Sequence, residues 1–273
     1  MAHRCGIGVC IIKEILDLGR FPLDKPGSPE WQALVKKCQA DLEENGMFNL
    51  EGFVRPQALD RAVAELRPVL DTLSFTHKRR HNIYFKKEIP GLSAGHPALR
   101  MTETVNHTVC YDQIPDSVPA WIYEWPNFVV FLAAVMQRET LFPMRDALAR
   151  VNVMAYRDGE ALNWHFDRSE FTTTILLQAP EEGGDFVYRS DLRSDTDPNY
   201  DCVAKLLEGN DDQVKTLKLA AGTLNVFRGK NTAHKVSTVK GPRERIITVF
   251  SYFDRPGVKF SAEEQMGFYG RAV

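Results

Sequence analysis

The feature that most constrains this chain is a change of hydrophobic period near residue 149. Upstream of it, apolar residues recur every three to four positions, the spacing of one helix face. Trp31, Leu34, Val35, Cys38 and Leu42 line up in this way behind Ser28-Pro29 and stop at Asn45-Gly46, a cap and a stop in the expected places. A second stripe (Leu59, Val63, Leu66, Val69, Leu70, Leu73) follows Pro56, and a third runs from Trp121 to Met136 with an interruption at Pro126. Residues 1–148 are therefore expected to be mainly helical. Downstream, short runs rich in Val, Ile, Thr, Phe and Tyr occupy 149–156, 171–178, 184–189, 214–219, 223–227 and 245–253, with one helical insert near Tyr200 to Leu207. Successive strands without intervening helices favour an antiparallel sandwich or barrel. No Pro/Gly/Ser linker separates the halves, so 1–273 reads as a single α+β domain whose N-terminal helices buttress a sheet at 149–273.

The balance of 44% hydrophobic and 26% charged residues is that of an ordinary globular chain and excludes disorder, collagen and coiled coil. A formal charge of −2 supplies no overall field toward nucleic acid or an anionic membrane, so neither is expected as a partner. Five scattered cysteines without a CxxC pair argue against a disulfide framework and a zinc knuckle, and fit a reducing compartment. The opening stretch is broken by Lys13, Glu14 and Asp17, too charged for a membrane span or a secretory signal, and a cytoplasmic location is expected. Three motif matches lack their context. Gly91-Leu92-Ser93-Ala94-Gly95 fits a nucleophile elbow, but KKEIP before it cannot be a central hydrolase strand. Gly222 to Lys230 has its glycines too far apart for a phosphate loop, with Asn231 where Ser or Thr should stand. Asn106-His107-Thr108 is a glycosylation sequon without a secretory signal.

One constellation survives this sorting. In His165-Phe166-Asp167 an extended chain points an imidazole and a carboxylate the same way. His234 lies beyond the apolar run Thr223 to Phe227 and ahead of another strand, where a closed barrel can return it beside the first pair. Two His and one carboxylate leave three open positions on a metal, the arrangement of non-heme Fe(II) oxygenases. Arg245 then opens the strand RIITVFSYF, and a guanidinium gives the bidentate fork that holds the far end of a dicarboxylic cosubstrate; Arg243, two places earlier on the same side, is its competitor.

In this order of residues the chain resembles the Fe(II)/2-oxoglutarate-dependent dioxygenases. The segments NWHFDRSEFTTTILLQAPEEGGDFVYRSDLR, GTLNVFRGKNTAHKV and the ending FYGR are similar to the branch containing carrier-free amino-acid halogenases and their hydroxylating relatives. The resemblance implies a double-stranded β-helix (jelly roll) core. It implies iron bound by His165, Asp167 and His234, the 5-carboxylate of 2-oxoglutarate bound by Arg245 in preference to Arg243, and consumption of O2. Halogenases of this branch carry a small residue in place of the carboxylate; with Asp167 intact, the resemblance implies hydroxylation or a related oxidation such as desaturation.

Asn152 and Tyr156 share one face of VNVMAY and are expected to donate to the 2-oxoglutarate carboxylates, whereas Asn225 can face inward or outward. For the substrate, a small molecule, the densest basic cluster runs from His77 to Tyr84. Arg80 is the expected anion binder there, with Asn82 and Tyr84 beside it. Arg168 and Arg271 are further candidates, and an arginine in the pocket favours an acidic or neutral amino acid over a cationic one. Two rival readings remain: a nucleobase-demethylating dioxygenase using the basic cluster as a phosphate strip, and a non-catalytic metal-binding barrel for which Arg245 has no evident use.

Overall fold

A computed structural model describes residues 7–273, so Cys5 and the start of the N-terminal stretch lie outside the described residues. In chain order the first half contains α1 (Ile7–Ile15), α2 (Pro29–Asn45), β1 (Met47–Leu50), α3 (Pro56–Leu73), β2 (Phe75–His81), β3 (Thr102–Cys110), α4 (Val118–Glu124), α5 (Pro126–Val135) and β4 (Phe142–Pro143). The second half contains β5 (Val151–Tyr156), β6 (Leu162–His165), β7 (Thr172–Gln178), β8 (Phe186–Arg189), α6 (Tyr200–Leu207), β9 (Lys215–Leu217), β10 (Leu224–Phe227), β11 (Ala233–Val236), β12 (Arg245–Phe250), β13 (Tyr252–Phe253) and α7 (Ala262–Tyr269).

The helices form where their stripes and caps predict. In α2 the Ser28 hydroxyl accepts from the Trp31 N–H, Pro29 starts the helix, and Gly46 ends it in the left-handed conformation that side chains resist. Pro126 divides the third stripe into α4 and α5 because it cannot donate into the preceding turn.

The strands make a jelly roll. A seven-stranded antiparallel sheet in the order β1-β10-β7-β12-β5-β3-β2 faces a four-stranded sheet in the order β6-β11-β8-β9. Period two divides each strand of the larger sheet between two environments. Val151, Val153 and Ala155 of β5, with Ile246 and Phe250 of β12, pack outward against the helices in a core that includes Leu66, Phe128 and Phe131. Each fully buried Phe there contributes about 1.5–3 kcal/mol by leaving water. The alternate residues of the same strands, Met154, Tyr156, Arg245, Ile247 and Val249, line the interior between the sheets.

The first half departs from the mainly helical expectation. β1, β2 and β3 join the larger sheet, and β2 is the very run that carries the basic cluster. Its sequence, FTHKRRH, has no apolar alternation, yet it lies at the sheet edge with Thr76, Lys78 and Arg80 exposed and His77, Arg79 and His81 turned the other way. An edge strand with charges on its outer face needs no apolar signal and resists pairing with other chains. Two strands that carry no β-rich run, β6 and β11, also prove to be the ones that hold His165 and His234. Residues 91–95 lie in a loop with no strand before them, and Cys38, Cys110 and Cys202 are free thiols. No single helix among the described residues is long and apolar enough to cross a membrane.

Candidate metal centre and its two chambers

β6 and β11 are antiparallel neighbours, and their register sets His165 directly opposite His234. The two rings stand 4.1 Å apart between centroids. Each Nδ1 donates to a backbone carbonyl two residues upstream, His165 to Asn163 at 2.8 Å and His234 to Thr232 at 3.0 Å. That bond fixes the tautomer and leaves the Nε2 lone pair free for an ion. Asp167 follows the end of β6 and is placed by tertiary contacts. Its N–H donates to the Gly229 carbonyl at 3.0 Å, and one carboxylate oxygen accepts from the Thr172 hydroxyl.

The carboxylate presents one oxygen to each imidazole, 3.4 Å from His165 Nε2 and 3.4 Å from His234 Nε2. Donors bound at about 2.1 Å on adjacent positions of one ion stand about 3 Å apart, so both carboxylate–imidazole separations are a few tenths of an ångström longer than a bound metal needs, and all three donor atoms lie within 4.8 Å of one another. Among the described residues, these three are the group of His, Cys, Asp and Glu whose donor atoms converge in this way. The electrostatics suit the task. Burial, reinforced by His165, lowers His234 to about 4, which keeps it a neutral ligand at pH 7. Burial would raise Asp167, but His234, His165 and the Thr172 hydrogen bond outweigh it and hold the carboxyl well below its usual range.

Gly229 is a residue of this site that sequence reasoning missed. A Cβ there would sit 2.6 Å from Asp167 Oδ2 and 2.3 Å from Thr172 Oγ1, so the loop after β10 approaches the ligand carboxylate only because the side chain is absent. One sequence carries no signal for this, since Arg228-Gly229-Lys230 reads as an ordinary turn after the apolar run of β10.

The triad lies where two chambers meet. The inner one, about 130 Å³, runs between the sheets and is walled by strand residues such as Tyr156, Phe186, Ile247 and Asn225, which proves to face inward and accepts from the Asn49 amide at 2.8 Å. At its wall Arg245 is 1% exposed and is paired in register with Tyr156. Its Nε donates to the Gly184 carbonyl at 2.9 Å, whereas its Nη1 is buried with no partner. Burial lowers this guanidinium to about 10, so it remains charged at neutral pH. A buried charge with an orphaned donor fits an anionic ligand. Arg243, by contrast, bonds the Pro180 carbonyl outside the chamber. Burial pushes the Tyr156 hydroxyl up to about 12, and its one hydrogen-bond partner is Met154 Sδ at 3.8 Å.

The outer chamber, about 290 Å³, opens on the other side of the triad between β2, β3, β5 and the segment from Phe260 to Tyr269. That C-terminal segment is pinned over it by Asp146, which accepts from the Phe260 N–H and the Gln265 amide at 3.0 and 2.8 Å. Arg168 and Arg79 line this chamber, together with Thr104, Asn106, Thr108 and several aromatic rings.

Several expected site residues take other roles. Arg80 points outward from β2, because strand alternation gives the inward place to its neighbour Arg79. Asn82 folds its own turn, its Oδ1 accepting from the Tyr84 and Lys86 N–H groups. Tyr84 packs on Phe166 and donates to the Pro198 carbonyl at 2.6 Å. Arg271 makes a two-pronged ion pair with Asp112, away from both chambers. Asn152 borders the outer chamber and not the inner one; its Oδ1 accepts from Tyr269 and its amide donates to Leu148 and Val151, so it holds the C-terminal segment.

With this geometry in place, likeness to known proteins has a definite meaning. No curated protein matches the sequence. Among solved structures the chain is similar to a prolyl-4-hydroxylase from Pseudomonas putida, at 15% identity over 81% of this chain and 99% of that one, with a TM-score of 0.52. It is similar to the non-heme alpha ketoglutarate dependent carbocyclase SnoK from nogalamycin biosynthesis, at 15% identity over 87% and 92% of the two chains, with a TM-score of 0.55. It is also similar to HygX from Streptomyces hygroscopicus, solved with nickel and 2-oxoglutarate bound, at 14% identity over 80% and 86%, with a TM-score of 0.50. At such identities the shared property is the jelly-roll fold. A family-level match comes from the halogenase D model, which fits residues 30–266. Because that span runs from the first turn of α2 into α7, taking in α2 to α5, the triad, the inner chamber and most of the outer one, the chain belongs to the halogenase D family.

Proposed function

We propose that this protein is an Fe(II)- and 2-oxoglutarate-dependent oxygenase that hydroxylates, or otherwise oxidises, an unactivated C–H bond of a small polar metabolite, a free amino acid or derivative. The observation that carries the reading is the orphaned, fully buried Nη1 of Arg245 in the chamber that also presents His165, Asp167 and His234. A metal-binding scaffold has no use for a charge buried at such cost, whereas a dicarboxylic cosubstrate lying between metal and guanidinium pairs it. Iron, when bound, supplies the oxygen activation and C–H cleavage that no side chain here performs.

The protein's own part is placement. His165 and His234 act as neutral donors with fixed tautomers, and Asp167 lowers the charge of the site. Arg245 holds the far carboxylate of 2-oxoglutarate, and the Tyr156 hydroxyl exchanges its weak sulfur contact for that ligand. Substrate lies in the outer chamber beside the metal, where Phe85, Phe166, Phe260 and Phe268 exclude water.

Hydroxylation is favoured over halogenation by Asp167, whose carboxylate fills the third ligand position and accepts from the Thr172 hydroxyl while its backbone N–H donates to the Gly229 carbonyl. The nucleobase reading loses its phosphate strip, because β2 sends Lys78 and Arg80 to one face and His77, Arg79 and His81 to the other.

The test is anaerobic addition of Fe(II) and 2-oxoglutarate, followed by the weak visible charge-transfer band of their chelate. The wild type should show the band, His234→Ala and Asp167→Ala should lose it, and Arg245→Ala should need far more 2-oxoglutarate. Metal binding without a band at saturating 2-oxoglutarate would sink the oxygenase reading in favour of a scaffold. With the band in hand, succinate release screens amino acids directly.

A further inference from the structure

The outer chamber has an unusual charge inventory. Of its lining side chains, Asp167 is the one carboxylate, and it is turned to the metal site. Two guanidinium groups face the same space. Arg79 lies over Phe85 at 4.7 Å and against Phe268 at 6.0 Å, and among the described residues no carboxylate lies within ion-pair distance of it. Arg168 lies at 5.5 Å from the same Phe268 ring, and its one ion-pair partner is Glu264 of α7, at 2.6 Å. Burial and the neighbouring Arg168 both lower Arg79, as expected for like charges sharing a chamber.

The Arg168–Glu264 pair is weakly committed. Its side chains are 66% and 37% exposed, and ion pairs so open to water contribute little. An anion entering the chamber can therefore take Arg168 over from Glu264 at small cost. The remaining polar lining includes Thr104, Asn106, Thr108 and Asn152, with His77 and His81, whose imidazoles are lowered mainly by burial; Asn106 and Asn152 already accept from Thr108 and Tyr269, and Thr104 is engaged by His81 and the Asn163 N–H. Hydroxyl and amide oxygens of this kind satisfy an α-ammonium group whose own carboxylate lies beside it. They do not satisfy a side-chain ammonium facing two guanidinium groups.

We infer that the substrate is an acidic amino acid, or a dicarboxylate of that size, with one carboxylate on Arg79 and the second on Arg168 after exchange with Glu264. The inference rests on the oxygenase reading and names the substrate class of the same site. It also assigns specificity to a residue adjacent to the metal ligand Asp167, so the substrate's second anionic group is fixed relative to the metal. Two carboxylates neutralise both guanidinium groups, whereas the single carboxylate of a neutral amino acid leaves a net positive charge between them.

The experiment is calorimetric titration of the nickel-loaded protein, with and without 2-oxoglutarate, using L-glutamate, L-aspartate, L-leucine and L-lysine. At least one acidic amino acid should bind tenfold or more tighter than leucine, roughly the effect of one added charge-assisted pair, and lysine should bind weakest. Arg168→Gln should erase the preference for acid over leucine, and Arg79→Gln should weaken all four ligands. Neither side chain is in the buried core, so both variants should fold, which a thermal melt checks. Equal affinity for lysine and glutamate, or an unchanged ratio in Arg168→Gln, overturns the inference. A titration of 2-oxoglutarate alone judges the oxygenase reading separately: normal 2-oxoglutarate binding without acid preference leaves that reading standing and removes only this one.

Discussion

The two chambers on either side of the triad are built by different means. The inner one is made of alternate residues on strands whose register is locked at both neighbours: Arg245 pairs with Tyr156 on one side, and β7 flanks the same strand on the other. Its cation is buried and has lost its water. The outer one rests on β3 and β5 but is closed by an edge strand, one turn and a C-terminal segment tied down by Asp146 and Asn152. Its cations are partly solvated and lie on aromatic rings. The difference teaches where each kind of selectivity resides. A barrel interior can present a donor to a dicarboxylate with little freedom to vary, while elements appended to the barrel can alter the substrate without disturbing the metal.

Perturbations of the triad itself should have the largest effect. Asp167→Ala or His234→Ala removes a ligand and leaves a polar void, so succinate release should be abolished and metal content after dialysis should collapse, as metal analysis will show. Next comes the inner chamber. Arg245→Gln keeps a donor but removes the charge, and the KM for 2-oxoglutarate should rise about 30-fold or more, equivalent to roughly 2 kcal/mol or more, while amino-acid affinity stays near wild type. Equal losses for both ligands would dissolve the distinction between chambers.

Support of the ligands ranks third. Gly229→Ala forces Asp167 or Thr172 to move, and metal affinity should fall about 10- to 100-fold, with Thr172→Val falling less because only one hydrogen bond is lost. Competition with a fluorescent chelator reads both. The smallest effects belong to residues outside the chambers. Arg80→Gln should change stability by less than about 0.5 kcal/mol and leave every ligand affinity intact, in contrast to Arg79→Gln one position earlier. An Arg80→Gln phenotype on substrate binding would show that β2 is out of register.

Much of the buttress and core was legible from one chain. A stripe with caps places α2 and a stripe behind Pro56 places α3, because a helix needs only local spacing and a start or stop signal. The runs at 149–156, 171–178 and 223–227 announce themselves because central strands packed against helices are rich in β-branched residues on at least one face. β2, β6 and β11 were invisible for the opposite reason. An edge strand and strands whose inward residues are ligands bear polar sequences, so the apolar alternation that marks a strand is absent where the function sits.

The substrate side shows the same division in finer detail. A basic cluster marks a candidate region, but only register tells Arg79 from Arg80, because a shift of one residue reverses every side chain of the strand. Asn82, Tyr84 and Arg271 are polar and close in sequence to the right places, yet their partners are a local turn, the Pro198 carbonyl and Asp112.

By itself the sequence determined the α+β architecture, the residue types that converge as a candidate metal site and the arginine that follows the distal histidine, since these follow from period, residue chemistry and chain order. The tertiary structure decided which groups meet. It set His234 opposite His165, brought Gly229 against Asp167, left Arg245 Nη1 without a partner and chose Arg79 over Arg80. Those outcomes depend on strand register and on the close approach of loops distant along the chain, and neither is encoded in the spacing of neighbouring residues.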